Sequence, residues 1–141
     1  GGMMQRSAAV IGMVAAALMA ATTPSAHAEP SQYARTESGQ VRCVISAGDA
    51  ACERSSADGF PDAPPGQVGG HQNIAQVEAN GAFSWTEGNI GVGDYQDQVL
   101  AYGQTYRFNG WTVVSTSDGT RLTNDGTGHG MFVAVDGVSS F

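Results

Sequence analysis

The chain has 141 residues, of which 41% are apolar and 13% charged, with 20 glycines and a formal charge of −7. This size and apolar share suit one domain with a single core. All six basic residues are arginine, so nucleic-acid binding through a clustered basic patch is excluded. The A/E/K/L/R-rich composition of a coiled coil is absent too.

The chain opens on a targeting signal. Arg6 provides a short positive region, and positions 8–21 form an unbroken run of 14 apolar and small residues. Such a run is short for a hydrocarbon layer about 30 Å thick. Ala26-His27-Ala28 follows as an A-x-A cleavage site. Residues 1–28 are therefore expected to be a secretory signal peptide of the Sec type. Arg6 stands alone, which argues against a twin-arginine signal, and no cysteine follows the apolar run to take a lipid. The expected mature chain starts at Glu29 and has 113 residues, with five Arg against 13 Asp and Glu, a formal −8. Residues 29–37 are read as a mature N-terminal segment and 38–141 as one domain. The expected location is outside the cell or in its envelope, with no membrane association after cleavage.

Cys43 and Cys52 are the only cysteines. An even count in a small exported chain points to a disulfide. A β-branched run enters the intervening segment, and Gly48-Asp49 supplies a turn. Folding about Ala47-Gly48 sets Cys43 opposite Cys52, at a cross-strand separation that a bridge can span. A metal or redox pair is the competing reading, and an isolated C-x8-C suits neither well.

Beyond this hairpin the chain reads as β. Asn80-Gly81 and Asn109-Gly110 are type I′ turn signals, and Asp58-Gly59, Asp118-Gly119, Asp125-Gly126 and Asp136-Gly137 add further turns. Strands are expected near 41–46, 50–54, 73–78, 82–86, 98–102, 105–108, 111–116, 120–123 and 131–135. The predicted fold class is all-β, a small antiparallel sandwich or barrel built from hairpins. The Pro- and Gly-rich stretch 59–70 reads as a surface loop. A shift of 70 places Cys43 on Val113 and Cys52 on Leu122. If this echo is real, an apolar pair in the second hairpin replaces the bridge of the first.

Three blocks carry a resemblance. Ser38-Gly39-Gln40-Val41-Arg42-Cys43-Val44-Ile45, followed by Cys52-Glu53, is similar to S-G-N-I-x-C-x-I … x-C-E. Residues 99–106 resemble V-L-x-Y-G-Q-x-W/Y. Asn124-Asp125-Gly126-Thr127-Gly128-His129-Gly130-Met131-Phe132-Val133 resembles N-x-x-T/S-G-H-G-F-x-[LV]. Together they resemble a family of small exported proteins and lipoproteins of actinobacteria, mycobacteria included. The resemblance covers most of 38–141, and the absence of lysine suits a GC-rich genome. That family often carries a second C-x8-C pair where Val113 and Leu122 stand here. It implies export and a compact β fold, and it gives no catalytic residues to carry over.

Candidate site residues follow from chemistry. His129, between two glycines, can be read as a general base or metal ligand, or as a structural imidazole bonding loop carbonyls, which is preferred. Ser115, Asp118 and Asp125 are the residues that could complete a catalytic set with it, although no nucleophile-elbow motif is present. His71 reads as a solvated loop residue. Two mature histidines cannot make a three-His zinc site. Asp118, Asn124 and Asp125 offer oxygen ligands for calcium, but turn chemistry explains the same residues. No metal and no cofactor is expected. Trp85, Tyr95, Tyr102, Tyr106 and Trp111 could form a sugar-stacking platform, with core packing as the commoner use. The expected function is a non-enzymatic exported domain binding an envelope or extracellular partner, either a basic protein or a cell-wall polymer. A small hydrolase using His129 with an Asp is the alternative, and a structural envelope component the third.

Overall fold

The computed structural model describes residues 30–91 and 96–141. The expected signal peptide and Tyr95 lie outside the described residues. Eleven strands form two sheets. The first holds β1 (Gln32–Thr36), β2 (Val41–Ile45), β3 (Asp49–Arg54), β4 (Ile74–Glu78), β5 (Phe83–Thr86) and β6 (Gln98–Leu100), in the order β5-β4-β3-β2-β1-β6. The second holds β7 (Thr105–Phe108), β8 (Trp111–Thr116), β9 (Gly119–Asn124), β10 (Gly130–Ala134) and β11 (Gly137–Ser140), in the order β11-β10-β9-β8-β7. Each sheet contains a five-stranded antiparallel meander, and β6 adds to the first by a parallel pairing with β1. One hydrophobic core draws on both sheets, so the expected all-β class holds in the form of a sandwich.

Alternation sets the faces. In β2 the residues Val41, Cys43 and Ile45 are buried while Arg42 and Val44 are half-buried. In β8 the inward set is Trp111, Val113 and Ser115. The period of two is the signature of a strand with one face on a core. Asn109 and Gly110 both have positive φ, 50° and 86°, as the type I′ turn between β7 and β8 requires.

The two meanders correspond. Val41↔Arg54, Cys43↔Cys52 and Ile45↔Ala50 pair in the first; Trp111↔Asn124, Val113↔Leu122 and Ser115↔Thr120 pair in the second. Every one of these residues is offset by 70 from its counterpart. The echo in the sequence is therefore a repeat in the structure. Cys43 and Cys52 are bridged, with Cα atoms 4.0 Å apart. Val113 and Leu122, fully buried, face each other in the same place. A Val113→Cys/Leu122→Cys variant is expected to oxidise spontaneously. Closing a loop of about ten residues should then add roughly 2–3 kcal/mol on the chain-entropy model, less the apolar volume removed. Maleimide labelling checks it: two reactive thiols in the oxidised, folded protein would show that the pair cannot bridge.

Three expectations need correction. Within the expected N-terminal segment 29–37, Gln32–Thr36 is β1 and lies inside the first sheet between β2 and β6. Gln-Tyr-Ala-Arg-Thr shows no clear alternation, so its strand is fixed by pairing on both sides. The short terminal strand β11 was likewise unmarked. The 59–70 loop is not merely superficial: Phe60 is fully buried in the core, and Ala63 nearly so. Gly59 makes this entry possible, since it sits at φ +71° and a Cβ there would lie 2.0 Å from the His71 carbonyl oxygen.

Candidate functional site

The ends of the sandwich differ. At one end, turns from the two sheets are clasped together. Trp111 Nε1 donates to Ser46 O at 2.9 Å, and Asn109 Nδ2 donates to Ile45 O at 2.9 Å. Thr127 Oγ1 donates to Ala79 O. The His129 ring lies over Gly81, where a Cβ would come within 2.8 Å of Nδ1. The Asn124 Oδ1 atom accepts from Gly126 N and Thr127 N, both at 3.0 Å. The Thr-Gly-His-Gly stretch is thus the part of the β9–β10 loop that reaches across to the β4–β5 turn.

The opposite end is open. A groove of about 470 Å³ lies between the β1–β2, β8–β9 and β10–β11 turns. Thr36, Ser38, Thr116, Ser117 and Thr120 line it with hydroxyls, Asp118 and Asp136 with carboxylates, and Tyr102 with an aromatic ring 41% exposed. Val41 and Val133, both buried, supply apolar lining. The volume falls in the range of ligand clefts, about 300–1,000 Å³. The core beneath is polar as well: Ser115 and Thr120, 0% and 1% exposed, hydrogen-bond to each other at 3.0 Å. Their counterparts in the first meander are Ile45 and Ala50.

The repeat shows where the two ends differ. Trp111 fills the closed end, and its counterpart at the open end is Val41. An indole on one side of the correspondence is an isopropyl group on the other, and that smaller side chain lines the groove.

Comparison with family models, with curated proteins and with solved structures finds no match.

The structure scatters the residues singled out from sequence. His129 is exposed, and its Nδ1 lies 3.2 Å from Phe141 O. Asp118 is in the β8–β9 turn, at the far end of β9 from His129. The six residues of β9 put about 17 Å between them at about 3.3 Å per residue. Asp125 is occupied: its Oδ1 accepts from Thr112 Oγ1 at 2.5 Å, and its Oδ2 lies 3.7 Å from Arg107 Nη1. Ser115 is in the core. These four groups form no catalytic set. Asn124, buried at 7% exposure, caps its own loop, while Asp118 stands apart from it across β9. No group of three or more His, Cys, Asp or Glu among the described residues is placed to hold a metal. His71 is an exposed loop residue.

The stacking platform is not assembled either. Trp111 is fully buried. Trp85 faces inward from β5 and packs edge-on against Phe83 at 5.2 Å and at a tilt against Phe60 at 5.6 Å. The Tyr106 hydroxyl accepts from Ala101 N at 3.0 Å, and its ring stacks with Phe108. Only Tyr102 of the described members borders the groove. Sequence reasoning did not find Thr36, Ser38, Thr116, Ser117, Thr120 or Asp136 as site residues, because they come from strand ends and turns far apart in the chain.

On the outer face of the first sheet, Arg42 Nε and Nη2 donate to both Asp97 oxygens at 2.7 and 3.0 Å, and Nη1 donates to Ile90 O at 2.7 Å. Glu53 accepts from Ile90 N at 2.6 Å. The Arg42 hydrogen bond holds the Asp97 carboxyl below its ordinary range, against an opposing push from burial. A folded-state pKa below the unfolded one stabilises the fold above the unfolded value, about 3.9, and this contribution disappears as pH falls through the folded value. Asp97→Asn should therefore cost roughly 1.5–3 kcal/mol at neutral pH and flatten part of the acid decline below about pH 4. Urea unfolding at pH 7 and pH 3 measures both; an equal loss at the two values would contradict this assignment.

Proposed function

We propose that this chain is an exported, non-enzymatic β domain that binds an envelope or extracellular partner through the groove at its open end. The observation that carries the reading is the groove itself: hydroxyls and carboxylates from around three turns, with one aromatic ring from the β6–β7 connection, gather over a core made polar beneath them. The signal-like first segment supports export. The buried Cys43–Cys52 bridge suits an oxidising compartment, and no helix of the described residues is long and apolar enough to cross a membrane. The resemblance to small exported actinobacterial proteins agrees. Partner candidates are a basic protein and a cell-wall polymer. Against the hydrolase reading weigh the separation of His129 from Asp118 and the prior engagement of Asp125.

A photo-crosslinking amino acid at Ser117, on the groove, and another at Glu78, on the clasped end, test the reading in the producing cells. A discrete adduct from position 117 alone is expected. The same adducts from both positions, or none from 117, would overturn it.

A further inference from the structure

We infer that the groove takes an arginine side chain of a basic partner protein; this rests on the reading of the chain as a binding domain. Three observations converge. First, the correspondence between meanders says what kind of group is missing. At the closed end the space is filled by Trp111, a flat group with an apolar body whose N–H donates to the Ser46 carbonyl. At the open end the counterpart is the smaller Val41, which lines the groove together with Thr116, the counterpart of Ser46. A flat N–H donor on an apolar stem fits the same mould.

Second, the lining is one-sided in charge. Asp118 and Asp136 border the groove, and no Arg or Lys does. The described arginines other than Arg35 are engaged elsewhere: Arg42 with Asp97, Arg107 with Asp125, Arg54 with Gly59 O, and Arg121 over the Phe141 ring at 4.6 Å. The net charge of −7 has the same sign, so the whole molecule steers a cationic partner toward contact.

Third, the groove combines surfaces that a guanidinium engages more fully than an ammonium does. Its plane stacks on an aromatic face, here Tyr102, and its fork of donors pairs with carboxylate and hydroxyl oxygens. The stem then covers Val135, which lines the groove and is 36% exposed. A neutral glycan would use the hydroxyls but leave two carboxylates without counter-charge, and the only aromatic face offered to it is that of Tyr102.

The probes are acetylated hexa-arginine amide, hexa-lysine amide and chitohexaose, titrated into the full chain and followed by amide chemical shifts. Hexa-arginine should move the amides of residues 117–120 and 135–137 and bind several-fold more tightly than hexa-lysine, with affinity falling as salt rises. Asp118→Asn/Asp136→Asn should weaken it at least tenfold, and Glu78→Gln less than twofold. Val41→Trp should abolish it by filling the groove; if that variant does not fold, the Asn pair decides. An equal effect of Glu78→Gln and the Asn pair would reduce the binding to diffuse charge and overturn the inference. Movement of the groove amides by chitohexaose and not by hexa-arginine would also overturn it, while leaving the binding-domain reading intact. If no probe moves those amides and position 117 yields no crosslink, both readings fail.

Discussion

Trp111→Ala should lower stability by about 3–5 kcal/mol, the usual cost of removing a fully buried large aromatic side chain. The indole is 0% exposed and lies at the clasped end, where it joins the second sheet to the first. Two losses combine. The cavity forfeits dispersion contacts that its neighbours cannot recover by small shifts, and the Ser46 carbonyl loses its donor. In a domain of this size the midpoint of thermal unfolding should fall by on the order of 15 °C. Trp111→Phe retains most of the volume and should lose clearly less. Circular dichroism melts of the two variants measure the difference. A change under about 1 kcal/mol in Trp111→Ala would mean that the clasped end does not hold the sheets together.

Phe60→Ala should cost a similar amount, about 3–5 kcal/mol, although Phe60 sits in the Pro- and Gly-rich loop between β3 and β4. Its ring is 0% exposed and packs against Trp85. The backbone on either side is pinned: Phe60 N donates to Gln72 O at 3.1 Å, and Arg54 Nη1 donates to Gly59 O. Val68 in the same loop is 96% exposed, so Val68→Ala should stay within about 0.5 kcal/mol. Hydrogen exchange gives the second readout. Amides of Phe60, His71 and Gln72 should lose protection in Phe60→Ala and keep it in Val68→Ala. Equal, small effects from both substitutions would mean that the loop is an adornment on the fold and not part of its core.

The hairpins were legible because their information is local. Asn109-Gly110 needs two residues at positive φ, and the flanking alternation says which side chains go inward. The Cys43–Cys52 pairing was legible for the same reason, and the offset of 70 carried its register to Val113 and Leu122. β1 was not legible: Gln32 to Thr36 acquires its strand from neighbours on both sides. Phe60 was not legible because a loop rich in Pro and Gly gives no period from which to infer burial. The groove was hidden for a third reason. Thr36 and Thr116 end their strands and Asp136 lies in a turn, and these are brought together only when two sheets stack, which no local pattern encodes. The repeat did hold a clue, in the change from Trp111 to Val41 and from Ile45 and Ala50 to Ser115 and Thr120. It becomes meaningful only once the offset is known to be structural.

Eight of the nine strand pairings join strands adjacent in the chain; the exception is β1 with β6. Loop closure over a few residues costs little entropy, whereas bringing Gln98 to Ala34 closes more than half of the folded chain. The strand pairings are therefore mostly between chain neighbours, and each meander can zip from its own turns. A chain threaded outward from its N-terminal end releases the first meander, through Thr86, before any residue of the second has emerged. Its strands and its disulfide can form before the β1–β6 pairing, which joins distant parts of the chain, is made.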